Sequence, residues 1–170
     1  MGITSWIVKL QKSKFARRFQ YEPYIIKSVE YVDPKPDEKL FVVYREVDYF
    51  KSLCIQITEN EKNYFSWNVE TDFLLEDKIK FDKIIFFVST YYTDREGIKK
   101  VLKHAKDDTE IYCICFLEGS KFFETTLKLT DKKAFSQLGR ELELFKGCDV
   151  LEEKRFKSVH IKIVKLRCKQ

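Results

Sequence analysis

The sequence has 170 residues, of which 44% are hydrophobic and 15% aromatic, with only five glycines and three prolines. A chain of this length and composition can bury a core and is not disordered, so we expect one globular domain over residues 1–170. The formal net charge is +5, but residues 1–20 and 154–170 contain basic and no acidic side chains. All 27 acidic residues lie between these two basic ends.

The N-terminus resembles neither a signal peptide nor a membrane span, because charges soon follow its short apolar stretch. Five cysteines, an odd number without the spacing of a disulfide framework, favour a reducing compartment. We therefore expect an intracellular protein, cytoplasmic or nuclear, and no membrane partner.

The first part of the chain predicts a helix followed by strands. Residues 5–19 have the pattern of an amphipathic helix, which makes residues 1–20 a basic N-terminal helix or arm. The segments that follow are rich in Val, Ile, Tyr and Phe, which favour strands. The predicted strands are 24–32, 39–47 and 53–58, with a prolyl turn between the first two. In residues 59–82 the apolar side chains follow neither the helical nor the strand period. A helix over 68–78 and an irregular loop are therefore both possible.

The middle of the chain has the clearest pattern. The continuous apolar run over 83–90 predicts a strand that is buried on both faces. A capping box from Thr93 to Glu96 opens a predicted helix over 94–106, and a second apolar strand follows at 110–117. A strand, a helix and a strand in this order predict two parallel strands with a right-handed crossover.

The last part predicts three further elements. Residues 121–129 favour a strand or hairpin arm, residues 131–146 a helix, and the alternation near the C-terminus a final strand with one apolar and one basic face. The expected fold class is α/β (or α+β). It has a single mixed β-sheet of about five to seven strands with two or three packed helices.

The few cysteines and histidines do not predict a metal or nucleophilic site. Cys113 and Cys115 lie in an apolar strand, and His104 and His160 are not paired with them at the spacing that zinc needs. We expect the cysteines to be small buried hydrophobic residues, and nothing positions a Cys–His or Ser–His pair. No cofactor and no metal ion are expected from these residues.

The turn over 89–96 allows two interpretations. Its hydroxyl groups and the following helix N-terminus could bind a phosphate, although helix capping alone also explains the pattern. Capping does not explain the adjacent Tyr91 and Tyr92. We expect them to bind a protein partner at the carboxyl end of the strand.

The order of elements resembles the restriction-endonuclease-like fold, in its Mrr-type branch, over Val42 to Leu117. The resemblance depends on Asp48 before "LCIQITENEK" and on the stretch "FFVSTYYTDREGIKKVLKHA". In that family, carboxylates hold a divalent metal and a lysine orients the attacking water. The resemblance therefore implies Asp48 as a candidate catalytic residue.

This sequence departs from the catalytic motif of that family at the positions of its catalytic residues. Gln56 and Thr58 stand where an acidic residue or Gln and then Lys are required, and Glu59 or Glu61 with Lys62 lacks the required spacing. The resemblance thus implies a degenerate, inactive member of the family.

The basic ends carry the main functional expectation, which is binding of nucleic acid (DNA or RNA) or of a nucleoprotein without catalysis. The first alternative is a protein–protein interaction module or assembly subunit. The second is an enzyme, a metal-dependent nuclease that uses Asp48 with Glu59 or Glu61. The candidate nucleic-acid-binding residues are Lys9, Lys12, Lys14, Arg17, Arg18, Lys157, Lys162, Lys165 and Arg167.

Overall fold

The computed structural model describes residues 14–45, 48–59 and 61–168. The first nine residues of the predicted helix over 5–19, together with Lys9 and Lys12, lie outside these ranges. None of the helices in the described part has the length and apolar character needed to cross a membrane.

The described residues form one mixed sheet of six strands in the order β2-β1-β3-β4-β6-β5. The first four are parallel to one another, whereas β6 is antiparallel to both β4 and β5. The predicted α/β class with a single mixed sheet is therefore confirmed. The strands are β1 (Leu40–Tyr44), β2 (Tyr64–Asn68), β3 (Phe81–Phe87), β4 (Ala105–Phe116), β5 (Cys148–Phe156) and β6 (Ile161–Cys168).

Five α-helices lie in the described part, two more than the upper number predicted. Short 3-10 turns also occur at Glu61–Asn63, Glu141–Leu144 and Lys157–Val159. The α-helices are α1 (Lys14–Val32), α2 (Tyr49–Thr58), α3 (Arg95–Leu102), α4 (Lys121–Thr130) and α5 (Lys132–Gln137).

The crossover from β3 through α3 to β4 was predicted from the sequence and is confirmed. β3 and β4 are parallel, and Ile84 lies beside Ile111 in the register. Both strands are buried along most of their length because helices or loops cover both faces of the sheet. This explains why their sequences are continuously apolar.

The strand predicted over 24–32 is wrong, because these residues form the second half of α1. Ile25, Val29 and Val32 are buried at the i, i+4, i+7 spacing of one helix face. β-branched residues suggested a strand, but packing against the sheet decided the conformation.

The strands predicted over 53–58 and 121–129 are also wrong and are helices α2 and α4. In α2, the buried residues Phe50, Cys54 and Thr58 are four positions apart, so that they lie on one side of the helix. Because residues 24–32 are helical, they do not pair with β1 across the prolyl turn, and β1 is instead bordered by β2 and β3 in parallel.

The C-terminal part contains a strand that the sequence pattern did not predict. Residues 131–146 divide into α5 and a 3-10 turn, and β5 follows with nearly every side chain exposed. Cys148 of β5 and Cys168 of β6 face each other and are joined by a disulfide. The expectation that all cysteines are unpaired is therefore wrong for these two.

Candidate functional site

The strongest candidate site lies at the carboxyl ends of β1, β2 and β3. After β1 the chain continues to β2 on one side of it, and then returns to β3 on the other side. Such a reversal of strand order leaves a crevice at the carboxyl edge, which is where open α/β sheets bind ligands. We call this region the carboxyl edge.

Two adjacent residues at the end of β3 are unusual. Val88 has a backbone φ of 52°, a conformation that is strained for a β-branched residue. Ser89 is fully buried, yet its hydroxyl has no hydrogen-bond partner among the described residues. Strain and an unsatisfied buried hydroxyl cost free energy, and such costs concentrate at functional sites.

Four side chains form a charged cluster on the same edge. The Arg45 Nε donates to Glu70 at 2.8 Å, and its Nη1 lies 3.2 Å from an Asp131 oxygen. The guanidinium also lies over the ring of Tyr92, 3.9 Å from its centroid, and the Tyr92 hydroxyl donates to Asp131. This carboxyl-edge cluster joins the ends of β1, β2 and β3 to the start of α5.

The cluster changes the proton affinities of its members. Burial raises the pKa of Tyr92, and the hydrogen bond to Asp131 raises it further. Burial alone lowers the pKa of Arg45, but the hydrogen bond to Glu70 and the interaction with Tyr92 raise it overall. Both groups therefore keep their protons at neutral pH, Tyr92 as a donor and Arg45 as a cation.

A second cluster lies deeper and is fully buried. The Tyr91 hydroxyl donates to Glu141 at 2.8 Å and accepts from the backbone amide of Phe116. Lys162 reaches Glu141 at 3.3 Å and Glu118 at 3.0 Å. Because Tyr91 is only 1% exposed, it cannot be the partner-binding surface that the sequence suggested; Tyr92 is half-buried in the carboxyl-edge cluster.

The nuclease candidates do not converge on one site. Asp48 is the N-cap of α2 and Glu59 the C-cap, so a helix of ten residues, about 15 Å long, separates them. Asp48 accepts from the Tyr64 hydroxyl at 2.9 and 3.0 Å and from the backbone amide of Lys51. Its oxygens thus cap a helix and hold a tyrosine.

The remaining members of that candidate set are on the surface. Glu61 pairs with Lys51 at 3.0 Å, and Lys62 is exposed. Burial raises the pKa of Asp48, although hydrogen bonds from Tyr64 and Ser66 oppose this. In the described ranges, no group of three or more His, Cys, Asp or Glu side chains could hold a metal ion.

The C-terminal basic residues do not form the expected basic face. Lys162 is buried between Glu118 and Glu141, and Lys165 donates to Glu110. Both ammonium groups are therefore neutralised within the fold. Lys157 and Arg167 are exposed. Lys14, Arg17 and Arg18 lie in α1, and their side chains are outside what the structure describes.

The helix after the carboxyl edge is capped differently from the prediction. Asp94, rather than Thr93, is the N-cap of α3 and accepts from the Gly97 amide at 2.7 Å. The Thr93 hydroxyl donates to the Ser89 carbonyl, and Glu96 pairs with Lys99. Since Asp94 already uses the helix amides, a phosphate at this helix start is not supported.

The other cysteines behave as predicted. Cys54, Cys113 and Cys115 are free and buried. Burial raises the pKa of the Cys54 thiol to about 12, so it is protonated and unreactive at neutral pH. His104 is buried among aromatic rings, and its Nδ1 lies 2.8 Å from the Ile79 carbonyl.

Sequence reasoning missed five residues of these clusters: Arg45, Glu70, Glu118, Asp131 and Glu141. A signal existed for the first, because Arg45 follows the apolar run of β1 directly and so must lie at the end of a buried strand. No local pattern marks the others. They come together only because loops from β2 and β4 return to the same edge.

No protein-family model matches the sequence, and no curated protein sequence is significantly similar to it. The fold, in contrast, has clear counterparts among solved structures. A protein from Nostoc punctiforme PCC 73102 with a provisional O-methyltransferase assignment is 8% identical, with a TM-score of 0.57 over 94% of this chain and 59% of that one. Mitomycin 7-O-methyltransferase MmcR is 11% identical, with a TM-score of 0.55 over the same two shares.

OxaC in complex with SAH and oxaline is 13% identical, with a TM-score of 0.50 over 76% of this chain and 35% of OxaC. The chain therefore spans less than two thirds of the length of each of these three proteins. At such identities the likeness establishes the fold alone, which this chain shares with these solved methyltransferase structures.

These findings correct five expectations. The resemblance to restriction-endonuclease-like proteins was wrong, because the solved structures that share this fold include methyltransferases. For the same reason, the expectations of a nucleic-acid-binding protein, of a nuclease and of a protein without enzymatic activity are contradicted. The expectation of no cofactor, or of a divalent metal only, is contradicted by a fold neighbour that holds SAH.

Proposed function

We propose that this protein is a methyltransferase that binds S-adenosylmethionine at its carboxyl edge. The observation that carries the proposal is the topological switch between β1 and β3, where the Glu70 carboxylate after β2 and the unsatisfied buried Ser89 hydroxyl after β3 follow the two strands that flank β1. Such a cofactor supplies a methyl group bonded to a positively charged sulfur. The likeness of the fold to methyltransferases agrees with this chemistry.

The residues at the edge fit the nucleoside part of this cofactor. In doubly wound α/β proteins, an acidic side chain about 20 residues beyond the first strand accepts hydrogen bonds from a ribose. Glu70 is 25 residues beyond Arg45, follows β2, and is about half exposed. The Ser89 hydroxyl would find in a polar ligand the partner that it lacks in the protein.

The edge lacks the glycine-rich turn that usually follows the first strand. No glycine occurs between Tyr44 and Asp48, and Asp48 itself caps the helix that follows. The backbone therefore cannot approach a ligand as closely there as a glycine-rich turn would. We expect side chains of the carboxyl-edge cluster to provide most of the binding free energy.

The Arg45–Glu70 pair has two consequences for binding. It holds the Glu70 carboxylate in place at the edge, and it must share that carboxylate with the ribose hydroxyls. Because both side chains are partly solvated, rearranging the pair costs little.

The test measures binding of S-adenosylhomocysteine, the product form of the cofactor, by isothermal titration calorimetry. We expect the wild-type protein to bind it, and Glu70→Ala to bind it about tenfold more weakly, the loss that one charge-assisted hydrogen bond produces. Glu30→Ala is the matched control, since Glu30 is an exposed carboxylate paired with Lys27 on α1.

Two results would contradict the proposal. The first is the absence of heat and of thermal stabilisation with either S-adenosylhomocysteine or S-adenosylmethionine at millimolar concentration. The second is an equal loss of affinity in Glu70→Ala and Glu30→Ala, which would place the ligand away from the carboxyl edge.

A further inference from the structure

The disulfide between Cys148 and Cys168 joins the open end of the hairpin that β5 and β6 form. Cys148 is the first residue of β5 and Cys168 the last of β6, and the two lie directly opposite each other in the antiparallel register. The other end of the hairpin is closed by the turn Lys157–Val159. Because β6 is antiparallel to β4, the disulfide lies toward the amino ends of the parallel strands, away from the carboxyl edge.

Few contacts other than the disulfide hold this end of β5. The side chains of residues 149–155 are exposed, so they bury little apolar surface. Leu151 is an extra residue in the pairing with β6, and only residues 148–150 of β5 are paired beyond this bulge. Asp149 lies opposite Arg167 in the register, but both side chains are exposed, and an exposed charge pair contributes little to stability.

The neighbouring parts of the chain are fixed by the core. Phe145, three residues before Cys148, packs on Phe86 with ring centroids 5.1 Å apart. β6 buries Ile163, Val164 and Leu166, so it stays in the sheet whether or not the end of β5 pairs with it. Separation of the two strand ends is therefore confined to residues 146–151.

The distribution of the five cysteines favours a reversible reaction at this one pair. Cys148 and Cys168 are half-buried at the edge of the sheet, so a small dithiol can reach the bond between them. Cys54, Cys113 and Cys115 are free and buried. Burial raises the pKa of each of these three thiols, so they stay protonated at neutral pH and do not attack the disulfide.

We propose that Cys148 and Cys168 form a reversible redox site that controls the order of the end of the edge strand β5. In the oxidised form, the disulfide links residues that are 20 positions apart and keeps residues 148–150 paired with β6. In the reduced form, residues 146–151 separate from β6 and expose the backbone edge with which they were paired. The site does not depend on the proposed function, because it lies away from the carboxyl edge.

Reduction proceeds by thiol–disulfide exchange with a dithiol. One thiolate of the dithiol attacks a sulfur of the disulfide, the bond between the two cysteines breaks, and the other cysteine leaves as a thiolate that takes up a proton. The second thiol of the reductant then attacks the mixed disulfide and releases the first cysteine. Two electrons and two protons pass to the protein, which gains two thiols, and the dithiol becomes a disulfide.

The first test counts thiols by mass spectrometry after alkylation with iodoacetamide. The folded protein is equilibrated with mixtures of reduced and oxidised dithiothreitol. We expect Cys148 and Cys168 to become alkylated together as the reduced fraction rises, and to be protected again when the oxidised form is restored, while Cys54, Cys113 and Cys115 stay unmodified. Alkylation of all five cysteines at once, no alkylation in excess dithiothreitol, or alkylation of the pair without excess dithiothreitol would overturn the reversible site.

Hydrogen–deuterium exchange is the second test and compares the oxidised with the reduced wild-type protein. On reduction we expect exchange over residues 146–151 to become about tenfold faster, with the exchange of β3 and β4 unchanged. The double variant Cys148→Ser, Cys168→Ser is the matched control: it should show the fast exchange without dithiothreitol, and dithiothreitol should not change it. Unchanged exchange over residues 146–151 on reduction, or an equal increase over the whole sheet, would overturn control of the strand end.

Discussion

The two ends of β3 bury polar groups in opposite ways. At the amino end, the Lys83 ammonium is buried but fully used: it donates to the carbonyls of Val32 and Asp33 at 3.0 and 2.9 Å and pairs with Glu38 at 2.9 Å. At the carboxyl end, Val88 is strained and the Ser89 hydroxyl is buried without a partner in the described part of the chain.

The difference separates a structural polar group from a candidate binding group. Lys83 supplies a positive charge to the last carbonyls of α1, where a helix favours cations, so its burial is explained by the fold. Among the residues that the structure describes, no group pairs with the Ser89 hydroxyl beside the strained Val88. A buried charge is therefore weak evidence for a site, and an uncompensated polar group is better evidence.

The largest effect on stability is expected from a substitution at Glu141. It tests whether some polar groups near the carboxyl edge stabilise the fold rather than bind a ligand. Glu141→Ala removes the acceptor of Tyr91 and one of the two partners of buried Lys162. We expect the free energy of unfolding in urea to fall by about 3 kcal/mol, as for other broken buried ion pairs.

Glu143→Ala is the control for this substitution. Glu143 lies in the same turn but pairs with Arg140 at the surface, so its replacement should not measurably change stability. A loss below about 1 kcal/mol in Glu141→Ala would show that the buried cluster of Tyr91, Glu141 and Lys162 does not stabilise the fold.

A smaller effect is expected at the amino end of β3. Lys83→Met keeps most of the volume but leaves the carbonyls of Val32 and Asp33 without their donor. We expect a loss of about 2 kcal/mol of unfolding free energy, with no change in the affinity for S-adenosylhomocysteine. Reduced affinity at unchanged stability would reverse the assignment of Lys83 as structural.

A third effect depends on pH. Burial raises the pKa of Glu110 and of Glu118, but hydrogen bonds to Lys165 and Lys162 contribute to a net lowering of each pKa below the ordinary 4.5. The folded state then binds fewer protons than the unfolded state, so this stabilisation is present above pH 4.5 and is lost as the pH falls through the lowered values. Urea unfolding between pH 7 and pH 3 measures this loss.

The variant Glu118→Gln should be less stable than the wild type at pH 7, and the difference should shrink as the pH falls below 4.5. A difference that stays constant with pH would mean that the ion pair to Lys162 does not set the ionisation of Glu118.

The smallest effect on stability is expected at Ser89, and it tests the comparison most directly. Ser89→Ala removes a buried hydroxyl that has no partner, so stability should be unchanged or slightly higher. The affinity for S-adenosylhomocysteine should fall. Destabilisation by more than about 1 kcal/mol would show that the hydroxyl is used within the fold and that the two ends of β3 are alike.

The sequence predicted those elements whose burial is complete. β3 and β4 are continuous apolar runs, and α3 has buried residues at helical spacing, so their positions and parallel order could be inferred. β5 could not be inferred, because its side chains are exposed and carry no period; it forms only through its pairing with β6. The helix face of Ile25, Val29 and Val32 was present in the sequence, but β-branched composition obscured it.

The candidate site was much less predictable than the sheet. Asp48 has the residue type and position of a catalytic acid, and only the contact with Tyr64 reveals it as a helix cap. Tyr91 and Tyr92 are equivalent in the sequence, yet one is buried on Glu141 and the other lies in a partly solvated cluster. Neighbouring residues acquire different roles because the turn after β3 points their side chains in different directions.

The sequence by itself determined that this protein has an α/β fold with a parallel βαβ unit at its centre. The reason is that buried strands and helix faces require apolar residues in local, periodic patterns that can be seen in the sequence. Only the tertiary structure decided the order of strands, the pairing of the C-terminal lysines and the assembly of Arg45, Glu70 and Asp131 at one edge. Ion pairs between segments that are distant in the sequence produce no such local pattern. It depends on which loops the sheet brings together, and the likeness to methyltransferases followed from that arrangement.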